Sequence, residues 1–204
     1  MGERAPRVGA EQRPFEIVAI AASAGGLTAL TRVLSGLPAT FNAAIVAVQH
    51  LDPRHRSLMA EIIGRHSRLP VHQAVHGAHV RRGHVYLAPP DHHLLINRDA
   101  SVNLTRTELV NFVRPSADLL FESVAASFGA RAIAVVLTGS GRDGSIGVTA
   151  IKQRGGTVIA QDEESSEFFS MPSAAIRAGV VDFVLPLDNI AGALLTLVGG
   201  EMPD

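Results

Sequence analysis

The 204-residue chain contains no cysteine and no tryptophan, and aromatic residues make up only 4% of it. Without cysteine there is no disulfide framework, no thiol nucleophile and no thiolate metal site. So few aromatics leave no platform on which nucleic-acid bases would stack. The formal net charge of -1 gives no electrostatic footprint for nucleic acid or an anionic membrane. No apolar run is long enough to span a bilayer, and no signal peptide precedes the first apolar segment. What is present is a chain 47% hydrophobic and 18% charged, enough for one α/β domain with a substantial core. The expectation is a cytoplasmic enzyme or binding domain.

Short apolar runs alternate with amphipathic stretches over most of the length. "FEIVAIAA" from Phe15 reads as a buried strand, and "GLTALTRVLSGL" after it has helical spacing and ends at Pro38. "AAIVAVQH" is a second buried strand, and "SLMAEIIGRHS" a second helix. "HVYLAPPDHHLLINRDASVNLTR" breaks the alternation and reads as an antiparallel meander. Beyond it follow a helix in "SADLLFESVAASFG", a strand in "AIAVVLT", a helix in "SIGVTAIKQRGG" and a strand in "TVIAQ". "MPSAAIRAG", "VVDFVLP" and "LDNIAGALLTLV" continue the pattern as helix, strand and helix. The expected fold is α/β: a doubly wound, mainly parallel sheet with helices on both faces and a short antiparallel meander. Residues 1–14 are polar and unpatterned, and read as a flexible tail before a single domain over 15–200.

In such folds ligands bind beyond the carboxyl ends of the strands, so the residues just after each strand carry the interest. The first such turn is "IVAIAASAGGLTAL". As a dinucleotide fingerprint it fails, since Ala21 and Ser23 stand where glycines belong and only Gly26 fits. As a nucleophile elbow it fits better, with Ala21 and Gly25 as the small residues two before and two after Ser23. A serine that only caps the next helix is the plain alternative. The "TGSGRDG" loop matches G-x-G-x-x-G at Gly139, Gly141 and Gly144, with Asp162 placed as a ribose-binding acid. A nucleotide-binding or non-catalytic signalling module built on that loop is the second reading. The same loop carries Asp143, which reads either as an Asp-Gly turn or as a carboxylate facing Ser23.

Of nine histidines, His50 ends a buried strand at the ligand-binding rim. His72, His76 and His79 cluster in a polar connection without a neighbouring acid, and no metal site or cofactor is expected there. His92 and His93 follow a Pro-Pro-Asp turn and read as a solvated loop beside a cleft. A serine hydroxyl is not ionised at neutral pH and needs a base. Imidazole can take its proton and return it to a leaving group. A carboxylate on the other ring nitrogen fixes the tautomer, and Asp143 is the candidate.

These residues resemble the catalytic domain of the chemotaxis protein-glutamate methylesterases. "IAASAGG" is similar to that family's serine motif, "VAVQHL" to its histidine strand and "VLTGSGRDG" to its aspartate loop. "GHVYLAPPDHHLLI", "VNFVRPSADLLFESVA" and "TVIAQDEESSEFFSMPSAAI" are similar as well, and the match runs from Ile17 to the end of the chain. The resemblance implies a Ser23–His50–Asp143 triad and oxyanion donors from the backbone at Ala24 and Ser140. It implies hydrolysis of γ-glutamyl methyl esters on a methylated chemoreceptor-type helical protein, often with deamidation of receptor glutamines, and no cofactor. Departures are Ser140 for the usual methionine, Ala24 for threonine and Ser170 for glycine. No receiver domain is expected from these residues. Arg54, Arg56 and Arg142 each read as ordinary solvated charge, with pairing to acidic receptor residues as the alternative.

Overall fold

The computed structural model describes residues 15–50 and 57–199; the tail at 1–14 and the arginines at 54 and 56 lie outside them. Seven strands form one parallel sheet: β1 (Ile17–Ala22), β2 (Ala44–Gln49), β3 (Val71–Gln73), β4 (Val85–Leu87), β7 (Ala132–Val136), β8 (Thr157–Gln161) and β9 (Phe183–Leu185). Their order is β3-β4-β2-β1-β7-β8-β9. Strands β5 (His93–Ile96) and β6 (Val102–Thr105) form a separate antiparallel hairpin.

Strands β1 and β7 are apolar at every position because both faces are covered. Along β1, Val18, Ile20 and Ala22 face one core with helices α1 (Gly26–Ser35), α2 (Met59–Gly64) and α6 (Leu187–Gly199). Ile17, Ala19 and Ala21 face the other, with α3 (Ala117–Phe128), α4 (Gly147–Gln153), α5 (Ser170–Arg177) and the hairpin. Side chains of a strand alternate between faces, so a run buried throughout is what a two-sided parallel sheet needs. Phe121 of α3 is wholly buried on the second face. Its replacement by alanine would cost about 3–5 kcal/mol.

The doubly wound parallel sheet is as expected, with two corrections. The meander is shorter than the sequence suggests: Val85–Leu87 joins the parallel sheet beside β2, and only β5 and β6 are antiparallel. The connection bearing His72 contains an edge strand, β3, whose three residues are too few and too polar to show an apolar pattern.

The chain runs outward from β1 through β2 to β4 and β3, then returns to the other side of β1 with β7. That reversal leaves a crevice beyond the carboxyl ends of β1 and β7.

Candidate active site

Three neighbouring strands deliver the three side chains. Ser23 follows β1, His50 follows β2 and Asp143 lies in the loop after β7, so Ser23 stands between the other two strand ends.

The turn at Ser23 is pinned by its backbone. Ser23 N–H donates to Thr138 O at 3.0 Å, and Ser23 O accepts from Gly26 N at 2.8 Å and from Gln49 Nε2 at 2.6 Å. Gln49 Nε2 also donates to His50 O at 3.2 Å, so one amide ties the serine turn to the histidine. Gly25 has a φ of 74°, a left-handed conformation that side chains other than glycine's resist. Gln49 is a site residue that sequence reasoning passed over. The signal was there: one polar residue closing the otherwise apolar run AIVAVQ.

His50 Nε2 lies 2.8 Å from Asp143 Oδ2, and Asp143 is almost wholly buried. The remaining ring nitrogen, Nδ1, is left for other chemistry. Ser23 Oγ makes no hydrogen bond among the described residues. The structure therefore joins His50 to Asp143 and sets Ser23 at the adjoining strand end, with its hydroxyl uncommitted.

Asp143 owes its place to the N-terminus of α3. Oδ1 accepts from Ser116 Oγ at 2.9 Å and Asp118 N at 3.2 Å, and Oδ2 accepts from Ala117 N at 2.6 Å. These N–H groups have no partner inside the helix and favour an anion. Burial pushes the Asp143 carboxyl up, but the bonds from His50, Ala117 and Asp118 outweigh it and hold the group below the ordinary carboxylate range. A carboxylate kept ionised there orients an imidazole and stabilises its protonated form.

A second carboxylate stands beside it. Asp118 Oδ1 accepts from Ile146 N at 3.0 Å and Gly147 N at 2.8 Å, at the start of α4, and Oδ2 accepts from Asn111 Nδ2 at 3.1 Å. Burial, with the Asp143 charge added, raises the Asp118 carboxyl despite those bonds. Its sequence setting, the first turn of a helix, gave no sign that it would cap a different one.

The backbone N–H groups of Ala24 and Ser140 have no acceptor among the described residues. Ser140 follows Gly139, where an added Cβ would lie 2.8 Å from Ser23 Cβ. Both donors thus flank the serine, where charge developing on a substrate oxygen would need them. No side chain of Ala24 or Ser140 is required for that.

The nucleotide reading of the glycine loop does not survive. A pyrophosphate would need the N–H groups at the start of α4, and Asp118 occupies Ile146 N and Gly147 N. Asp162, taken as a ribose acid, instead accepts from Ser165 N at 3.0 Å and Ser165 Oγ at 2.6 Å within its own turn.

His93 and His72 are placed differently from expectation. His93 is not solvated but fully buried. Its Nδ1 accepts from Ser116 N at 3.1 Å and its Nε2 pairs with Glu108 O at 3.0 Å, so it braces the residue that hydrogen-bonds Asp143. His72 pairs with His84, not with His76 and His79: Nε2 and Nδ1 are 3.1 Å apart and the rings stack at 5.3 Å. Among the described residues no group of three or more His, Asp or Glu side chains could hold a metal ion.

The arrangement offers a hydroxyl, a base with its orienting carboxylate, and two free N–H donors: the parts of an acyl-transfer site. Comparison with known proteins points the same way. The family model described as CheB methylesterase matches residues 18–194. A protein-glutamate methylesterase/protein-glutamine glutaminase of Moorella thermoacetica is 42% identical over 194 residues, covering 93% of this chain and 46% of that protein. One from Pseudomonas aeruginosa is 42% identical over 183 residues, covering 88% of this chain and 52% of the relative. The chain thus spans about half the length of these curated relatives. The crystal structure of the Thermotoga maritima CheB methylesterase catalytic domain superposes with a TM-score of 0.87 at 38% identity, covering 90% of this chain and 99% of that one. On its strands, its motifs and these matches, the chain belongs to the CheB methylesterase family.

Proposed function

We propose that this chain hydrolyses γ-glutamyl methyl esters on a methylated, chemoreceptor-type helical protein. The observation that carries the reading is the His50 Nε2–Asp143 Oδ2 contact of 2.8 Å, made at the strand end next to Ser23. With Nε2–H bonded to the carboxylate, Nδ1 is the free acceptor. It takes the Ser23 proton as Oγ attacks the ester carbonyl. The oxyanion that forms meets the N–H groups of Ala24 and Ser140. His50 then gives its proton to the departing methoxide, methanol leaves, and an acyl-serine remains. Water, deprotonated by the same nitrogen, releases the γ-carboxylate and restores Ser23.

The same steps on a glutamine side chain release ammonia, so deamidation is a second activity of the same site. The curated relatives carry both activities in their names. A protein substrate also has to lie across the rim. Ile146 and Phe168 are large apolar side chains left 62% and 42% exposed on segments that contact the site, and they suit such a contact. No helix among the described residues is long and apolar enough to cross a membrane. We place the reaction in the cytoplasm, as the sequence reading does.

The test is methanol release from a receptor fragment carrying glutamyl methyl esters, measured with this chain and with Ser23→Ala. Release by the parent chain and loss in the variant is the expected result. No release by the parent chain overturns the reading.

A further inference from the structure

Two buried carboxylates in this site cap each other's helices. Asp143, in the loop that leads into α4, accepts the N–H groups of Ala117 and Asp118 at the start of α3. Asp118, in the first turn of α3, accepts the N–H groups of Ile146 and Gly147 at the start of α4. Each acid therefore holds the element that carries the other.

The 138–146 loop is held at its two ends and, between them, by the bonds to Asp143 from His50, Ser116, Ala117 and Asp118. Its near end is held by Thr138 N on Gln161 Oε1 and by Gly139 N on Phe168 O, each at 2.8 Å. Its far end is held by Asp118. Between them Ser140, Gly141 and Arg142 are exposed. Asp143 and the Ser140 N–H both ride on this span, and Asp118 adds to the direct bonds of Asp143 a hold from the α4 end.

A cap alone does not need a charge here. A neutral acceptor at position 118 would satisfy the same N–H groups without placing a second negative charge beside Asp143. Like charges this close oppose each other, and burial adds to the cost. What a charge adds is a negative potential at His50 when the imidazole takes a proton.

Resting on the proposed triad, we propose that Asp118 is a positioning residue of this site, pinning the loop that carries Asp143 and Ser140 and adding its charge behind the His50–Asp143 pair. The titratable and charged groups around it are few. Asp143 faces it from the loop, and Glu122 stands one turn further along α3. Asn111, its partner from the preceding turn, is neutral, and the buried His93 lies behind Ser116.

The experiment compares the parent chain with Asp118→Asn and Asp118→Ala. Circular dichroism gives the folded fraction, ester turnover gives kcat and KM, and long-range proton–nitrogen spectra follow the His50 ring against pH. Asp118→Asn keeps an acceptor for the α4 N–H groups, so its fall in kcat per folded molecule, about threefold, reports the lost charge, whereas Asp118→Ala also frees the loop and should fall at least about tenfold. KM for a small methyl ester should move by less than about twofold. The His50 ring should hold its proton less readily in Asp118→Asn, because a negative charge has been removed. A merely structural cap predicts a lower Tm with kcat per folded molecule and the His50 titration unmoved, and that result overturns the proposal. If Asp118→Ala does not fold, Asp118→Asn decides, and failure of both to fold assigns Asp118 to stability alone. The His50 spectra require no turnover. An inactive parent chain therefore sinks the esterase reading while leaving this comparison intact.

Discussion

Gly139 passes so close to Ser23 that a Cβ on the glycine would lie 2.8 Å from Ser23 Cβ and 2.3 Å from Met171 Sδ. Met171 Sδ ends a flexible side chain and can move aside, but Ser23 Cβ sits on backbone held by Thr138 and Gln49. Gly139→Ala should therefore displace the serine. Overpacking of this kind costs about 1–3 kcal/mol of stability, which a fold of this size survives. Activity should suffer more, by about a hundredfold in kcat. A folded Gly139→Ala protein with parental turnover would show that the contact relaxes without moving Ser23.

Ser23→Ala should leave the sheet and the Tm nearly unchanged, since the hydroxyl makes no hydrogen bond among the described residues. Turnover should fall by about three powers of ten or more, because a nucleophile and its base fail as a unit. Thermal melts and methanol release on the same preparation check both halves.

The parallel sheet was readable because a strand buried on both faces has no polar positions to interrupt it, as in IVAIAA and AIAVV. The placement of Ser23, His50 and Asp143 at neighbouring strand ends was readable because each falls immediately after such a run or in the loop beyond it. Asp118 and His93 were not. Their partners are Ile146, Gly147, Ser116 and Glu108, which only the packing of α3 against α4 and the hairpin brings near. The G-x-G-x-x-G match misled for the same reason: the carboxylate that fills its anion position lies 28 and 29 residues before the N–H groups it binds, outside any local pattern.

Nucleotides should not bind the 139–144 loop. The N–H groups they would need are taken by Asp118. Millimolar NAD or ATP should leave the Tm unmoved, since a ligand at a hundred times its Kd stabilises by about 2.7 kcal/mol and would be seen. A concentration-dependent rise that Gly144→Ala abolishes would restore the nucleotide reading.

Activity should be lost on acidification, because imidazole accepts a proton only when neutral. Asp143, held below the ordinary carboxylate range, stays ionised through that loss and contributes no second step to it. One acid limb in kcat/KM is expected. A profile flat down to about pH 5 would contradict a histidine base.

The two carboxylates should leave opposite marks on stability. Asp143 ionises more readily in the folded chain than in the unfolded one. Its contribution is complete above the ordinary carboxyl value of about 4 and is lost as pH falls through the lower folded value. Asp118 ionises less readily in the folded chain, because burial and the Asp143 charge oppose it. Its contribution is complete below that ordinary value and is lost as pH rises through the higher folded one. Asparagine does not titrate, so each variant removes one of these slopes. The Tm advantage of the parent chain over Asp143→Asn should narrow as pH is lowered from about 5 toward 2. Its advantage over Asp118→Asn should instead narrow as pH is raised from about 3 toward 7. Because the charge of Asp143 raises Asp118, they titrate as a pair, and the double variant should lose both slopes together. Calorimetric melts of the four proteins across that range decide it. Two gaps that narrow in the same direction would mean that the burial of Asp118 does not outweigh the N–H groups of α4.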